Sequence, residues 1–120
     1  MLIGEVNGEA RNVLVLAEDE HRLIGRGHLI EPCHVLLGLL RFGEGPAAEC
    51  LVALGVGPLD EARVLVAQQA AERAEATVWP PIPEEAINDG DWWSHNRLRF
   101  SDETIEVLRL ARKEGWIIGP

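Results

Sequence analysis

Cys33, His34 and Cys50, with His28 a little upstream, are the residues whose side chains could ligate a metal or attack a substrate. A structural zinc site needs about four ligands in closed geometry. No close-spaced ligand pair recurs along this chain, so no metal and no cofactor are assigned. A catalytic cysteine wants a base in reach and a third group to orient that base. His34 is adjacent to Cys33, but neighbours on a helix point in different directions. A helix N-terminus can lower a thiol pKa, which would allow mild reactivity at Cys33 without catalysis. The plainer reading makes His34 a cap at the start of a helix and Cys50 a small core residue. Glu18, Asp19 and Glu20 form the one acidic triplet with an acid–base look. On an amphipathic helix such a triplet is the solvated face. No enzymatic activity is therefore expected; a small Cys-dependent enzyme is the weakest of the alternatives.

These residues are carried on helices. Apolar residues at Ala10, Val13, Leu14, Leu16, Ala17 and Leu23 recur mostly every three or four positions, one stripe of a helix over 9–23 that Gly25 ends. Pro32 suits the first turn of a second helix, where its missing N–H costs nothing. That helix is apolar on nearly every side through Leu40, is closed by Gly43, and is expected to be the most buried element. A third helix runs from Pro46 to Gly55, with Ala47, Ala48, Leu51 and Leu54 inward. A fourth opens at Pro58, with Leu59, Ala62, Leu65, Val66 and Ala70 at helical spacing and Asp60 and Glu61 near its positive end. No alternating strand pattern of convincing length is present.

Between Thr77 and Arg99 the periodicity stops. Three prolines and Trp79, Trp92 and Trp93 stand there among acidic residues. A structureless stretch of this length in a compact domain is usually functional or disordered. Tryptophan is favoured at binding hot spots, yet the same residues could cover apolar helix faces that would otherwise be bare. Both readings stay open. A fifth helix follows, with Ser101 as N-cap and Asp102 and Glu103 in its first turn, and Gly115 stopping it.

The fifth helix repeats the first. With Val6 laid over Phe100, six of fifteen positions agree: Glu9 with Glu103, Val13 with Val107, Leu14 with Leu108, Leu16 with Leu110, Ala17 with Ala111 and Glu20 with Glu114. The chain therefore divides into a four-helix unit at 6–75, a Trp/Pro-rich acidic linker at 76–99 and the start of a second unit at 100–120, all within one domain over 1–120.

Bulk composition narrows the partners. One domain of 120 residues that is 47% hydrophobic can build a core without staples. Eleven basic against twenty acidic residues give a net charge of −9. That balance argues against nucleic acid and against anionic membranes, and favours solubility and a basic partner. Two cysteines without a CxxC, no apolar run near the ~20 residues that span a bilayer, and no leader-like N-terminus point to a cytoplasmic, reducing setting.

The order of motifs resembles the Clp N-terminal domain, the double helical repeat at the front of ClpA- and ClpC-type unfoldases. "HVLLGLLRFGEGPAAECLVALG", residues 34–55, follows the family's "LLGLLxEGEGxAAxxLxxLG" almost position by position. The likeness covers about one full repeat and the first helix of a second. It implies an all-α, Clp-N-like bundle of about five helices with a long Trp/Pro-rich loop, and a non-catalytic module that docks Clp adaptors and substrate proteins and, in some members, phosphoarginine or cyclic peptides. No G-x-x-x-x-G-K-[ST] loop is present, so no motor is expected in this stretch. Cys33 stands where some relatives carry the glutamate that helps hold phosphoarginine, and a thiol cannot pair with a guanidinium. Phe100 matches the phenylalanine that opens the family's second repeat, although Thr104 and Ile105 follow it where other polar residues are usual. Val6, Phe100, Trp79, Trp92, Trp93 and Glu103 are the candidate peptide- or adaptor-binding residues. A regulator that competes for adaptors or sequesters a peptide is one form of this role. A homodimer in which a second copy completes the truncated repeat is the structural alternative.

Overall fold

The computed structural model describes residues 8–78, 80–87 and 98–113. Six α-helices account for the regular structure among them: α1 (Gly8–Ile24), α2 (Pro32–Phe42), α3 (Pro46–Ala53), α4 (Leu59–Arg73), α5 (Glu84–Ile87) and α6 (Asp102–Lys113). The only extended pairing among the described residues is two isolated bridges, Arg26 with Ala76 and Ile30 with Phe100. The all-α expectation holds.

The helix boundaries follow local chemistry. Gly25 ends α1 with a left-handed φ of 68°, its N–H donating to His21 O at 3.0 Å. Pro32 opens α2 and Gly43 closes it in the left-handed region, donating to Leu39 O. Ser101 caps α6: its Oγ accepts the Thr104 N–H at 3.1 Å. The one-turn helix α5 lies inside the segment expected to be irregular. Pro83 O accepts the Ala86 N–H there, and Glu84 and Glu85 fill the first turn, where carboxylates favour helix.

The core forms where α2 crosses α1. Gly38 makes the close approach possible: a Cβ there would stand 2.6 Å from Val13 O and 3.0 Å from Ala17 N, inside the backbone of α1. Around this crossing Leu14, Ala17, Ile30, Val35, Leu98 and Leu108 form one buried cluster, with Leu39 and Phe100 packed against it. A second cluster joins Leu37 of α2 to Ala62 and Val66 of α4. Each leucine, isoleucine or valine among them contributes roughly 1.5–3 kcal/mol through burial.

Several expectations about faces are corrected. Helix α1, not α2, is the most buried element: Val13 through Ala17 are all buried without a break, as are Asp19, Glu20 and His21. Helices α2, α4 and α5 all pack against it. Leu23, Leu54 and Leu65, placed inward by spacing, are exposed. Helices α3 and α4 pack on one side only, so each buries a narrower stripe than its sequence offers. Cys50 is exposed rather than a core residue.

The acidic triplet is the largest correction. Asp19 and Glu20 are buried, Glu20 at 0% exposure. Arg41 of α2 donates to Asp19 and, at 3.1 Å, to Glu20. Arg63 of α4 grips Glu20 with two bonds, 2.6 and 2.8 Å. Buried charge is tolerated only when paired and hydrogen-bonded in this way. Glu18 alone is near the surface. Burial works to raise its pKa, but bonds from His21 and Arg22 outweigh that and leave it lowered.

Candidate functional site

The connector between α1 and α2 is clamped from both sides. On one side Gly27 N–H donates to Glu75 O and Thr77 N–H to Gly25 O. On the other, Ile30 N–H donates to Arg99 O and Ser101 N–H to Ile30 O. Thr104 Oγ1 adds a 2.6 Å bond to Ile30 O. The connector thus brings the end of α4, the start of α2 and the start of α6 to one place.

A cleft of about 670 Å³ opens there, lined among others by Arg26, Glu31, Cys33, Val66, Arg73 and Glu103. Two of the sequence candidates, Cys33 and Glu103, meet on it. Phe100 does not line it; half-buried, it packs against the Leu14 and Leu108 cluster and pairs with Ile30. Val6, Trp79, Trp92 and Trp93 lie outside the described residues.

Burial pushes the Cys33 thiol above its ordinary pKa, and the Glu31 carboxylate pushes the same way. A thiol so placed stays protonated at neutral pH, the reverse of what a nucleophile needs. Arg26 and Arg73, Glu31 and Glu103, and the apolar Val66 and Ala70 all line the cleft. Such a surface offers donors, acceptors and an apolar contact together, which suits a peptide segment better than one small charged ligand. Among the described residues no group of three or more His, Cys, Asp or Glu side chains is arranged to hold a metal ion.

His34 borders the same cleft and acts as the expected cap. Its Nδ1 accepts the Glu31 N–H at 2.8 Å. Its ring meets that of His21 edge-on, with centroids 5.0 Å apart. His21 Nε2 reaches Gly27 O at 3.1 Å, so the two histidines hold the two ends of the connector. Burial, and then the neighbouring His21, lower the His34 pKa to about 4. Sequence reasoning did not find His21 or the Asp19–Glu20–Arg41–Arg63 network. A signal was present: Glu20 continues the Val13, Leu16, Ala17 stripe at the next helical step.

The comparisons with known proteins bear on this geometry. No protein-family model matches the chain, and no solved structure matches it. Curated proteins do. The Bacillus subtilis negative regulator of genetic competence ClpC/MecB is 46% identical over 57 residues, 48% of this chain and 7% of that protein. This chain is similar to Clp chaperones. The chloroplastic chaperone protein ClpC1 of Arabidopsis thaliana is 41% identical over 106 residues, 88% of this chain and 10% of the relative. The chaperone protein ClpB of Oceanobacillus iheyensis is 46% identical over 59 residues, 49% of this chain and 7% of the relative. The chain thus spans a small share of the Clp proteins it matches, and its likeness to them is that of a Clp-related module. The relatives include chloroplast proteins. Among the described residues no helix is long and apolar enough to cross a membrane.

Proposed function

We propose that this chain is a non-catalytic docking module of the Clp N-terminal type, which binds adaptor proteins or substrate segments in the cleft that joins Cys33 and Glu103. The observation that carries the reading is the cleft itself, where the α1–α2 connector, α2, α4 and Glu103 of α6 bring two arginines, two glutamates and apolar Val66 and Ala70 to one lining. The similarity to ClpC relatives supports it. Phosphoarginine is not the favoured ligand, because Cys33 offers no carboxylate to a guanidinium. The two free cysteines fit a reducing, cytoplasm-like compartment.

The test is a titration of the labelled chain with Clp adaptors and short substrate peptides, followed by NMR. Shifts concentrated at Cys33, Arg73 and Glu103, and lost in Glu103→Arg, are expected. Binding mapped wholly outside the cleft, or no binding by adaptors or peptides, overturns the reading.

A second reading is favoured by one observation. Val107 and Leu110 of α6 are 42% and 55% exposed, whereas their repeat counterparts Val13 and Leu16 on α1 are buried. A second copy could cover that stripe in a homodimer. Sedimentation that stays monomeric from low to high concentration removes this alternative.

A further inference from the structure

Residues 80–83, Pro80-Pro81-Ile82-Pro83, are laid against α1. Ile82 is 4% exposed and packs with Val15 and Leu16 of α1, with Phe42 of α2 and Ala86 against them. The three prolines around it are exposed. Proline has no N–H, so Ile82 owns the one backbone donor of these four residues. That donor is met by Asp19 Oδ1 at 2.9 Å. Pro80 O accepts Arg22 Nη1 at 3.0 Å. One aliphatic anchor, one N–H and one carbonyl are each read by a separate feature of α1. This is how short extended peptides are recognised: a proline-stiffened backbone loses little entropy on docking, and one side chain fills a pocket.

We propose that the groove formed by Val15, Leu16 and Phe42, with Asp19 and Arg22 at its edge, is a binding site for extended, proline-flanked aliphatic peptides, and that residues 80–83 occupy it as a built-in competitor. The occupant is tethered close by, since α4 ends at Arg73. A tether this short sets an effective concentration in the millimolar range, so a weak outside peptide is excluded until the strap withdraws. The groove is distinct from the docking cleft, and its ligand class is set by the Pro-Ile-Pro pattern that already fits it.

The experiment uses the full chain and a synthetic acetyl-Pro-Pro-Ile-Pro-Glu-Glu-amide peptide. Ile82→Asp places a charge that an apolar groove rejects and frees the site. The peptide should bind the folded Ile82→Asp chain roughly tenfold or more tighter than the parent, as loss of a tethered competitor requires. A peptide with Asp in place of its isoleucine should not bind. Equal affinity for parent and variant, or no saturable binding to the folded variant, overturns the proposal. Should Ile82→Asp not fold, the parent serves: excess peptide should speed hydrogen exchange at the Ile82 amide by displacing the strap. Unchanged exchange at saturating peptide overturns the proposal equally.

Discussion

Glu20 of α1, fully buried, is held by Arg63 of α4 through two parallel bonds, Nε to Oε1 at 2.6 Å and Nη2 to Oε2 at 2.8 Å. Arg41 of α2 closes the other side at 3.1 Å. One carboxylate therefore ties three helices at a place where spacing alone calls for an aliphatic residue.

Removing one partner leaves charge buried and unanswered. Glu20→Ala should destabilise the fold by about 3–5 kcal/mol. Arg63→Met alone should cost less, because Arg41 still holds Glu20. Urea denaturation of the two variants checks the order; equal losses would show that Arg41 carries none of the charge.

Gly38→Ala forces a methyl to within 2.6 Å of Val13 O. Alanine gains helix propensity of ~1 kcal/mol over glycine, but overpacking against backbone costs more. A net loss of about 2 kcal/mol is expected. A variant as stable as the parent would mean that α2 does not cross α1 this closely.

His34 gives the stability a pH slope. Its folded pKa of about 4 lies below the ordinary 6.5. The unfolded chain therefore binds the proton more readily between those values. Stability is complete above pH 6.5 and falls as pH drops toward 4, by on the order of 3 kcal/mol. Glu18, whose pKa is lowered, adds a further loss only below its ordinary 4.5. Denaturant midpoints at pH 7.5, 5.5 and 4.5 measure the slope, and His34→Asn should flatten it.

Ser101→Ala removes the cap of α6 and the 2.8 Å contact to Thr104 Oγ1. A loss of about 1–2 kcal/mol is expected by thermal or chemical denaturation.

The two thiols should separate cleanly in alkylation. Cys50 is exposed, while Cys33 is half-buried with a raised pKa. Cys33 should react roughly tenfold more slowly at pH 7.5, where less thiolate is present. Peptide mass spectrometry of an iodoacetamide time course reads both rates.

Helix periodicity, the prolines at Pro32 and Pro46, the glycines at Gly25 and Gly43 and the cap at Ser101 were enough to lay out α1, α2, α3, α4 and α6, because each is a local rule of backbone geometry or of orphan N–H and C=O groups. The capping role of His34 was legible for the same reason. Spacing did not reveal which flanks of α3 and α4 find a neighbour, so Leu54 and Leu65 were placed inside and are outside. Composition did not separate the partly exposed acid Glu18 from the buried acids Asp19 and Glu20, since the bonds of the latter two come from Arg41 and Arg63, far along the chain.

The sequence by itself determined the all-helical class, the helix ends and the likeness to Clp modules, all properties of short windows or of direct residue matches. Only the tertiary structure decided that Cys33 and Glu103 share a cleft, that Asp19 and Glu20 are internal ion-pair partners, and that Ile82 fills a groove on α1. Each of those depends on which distant segments pack together, and packing is set by three-dimensional complementarity that no local pattern encodes.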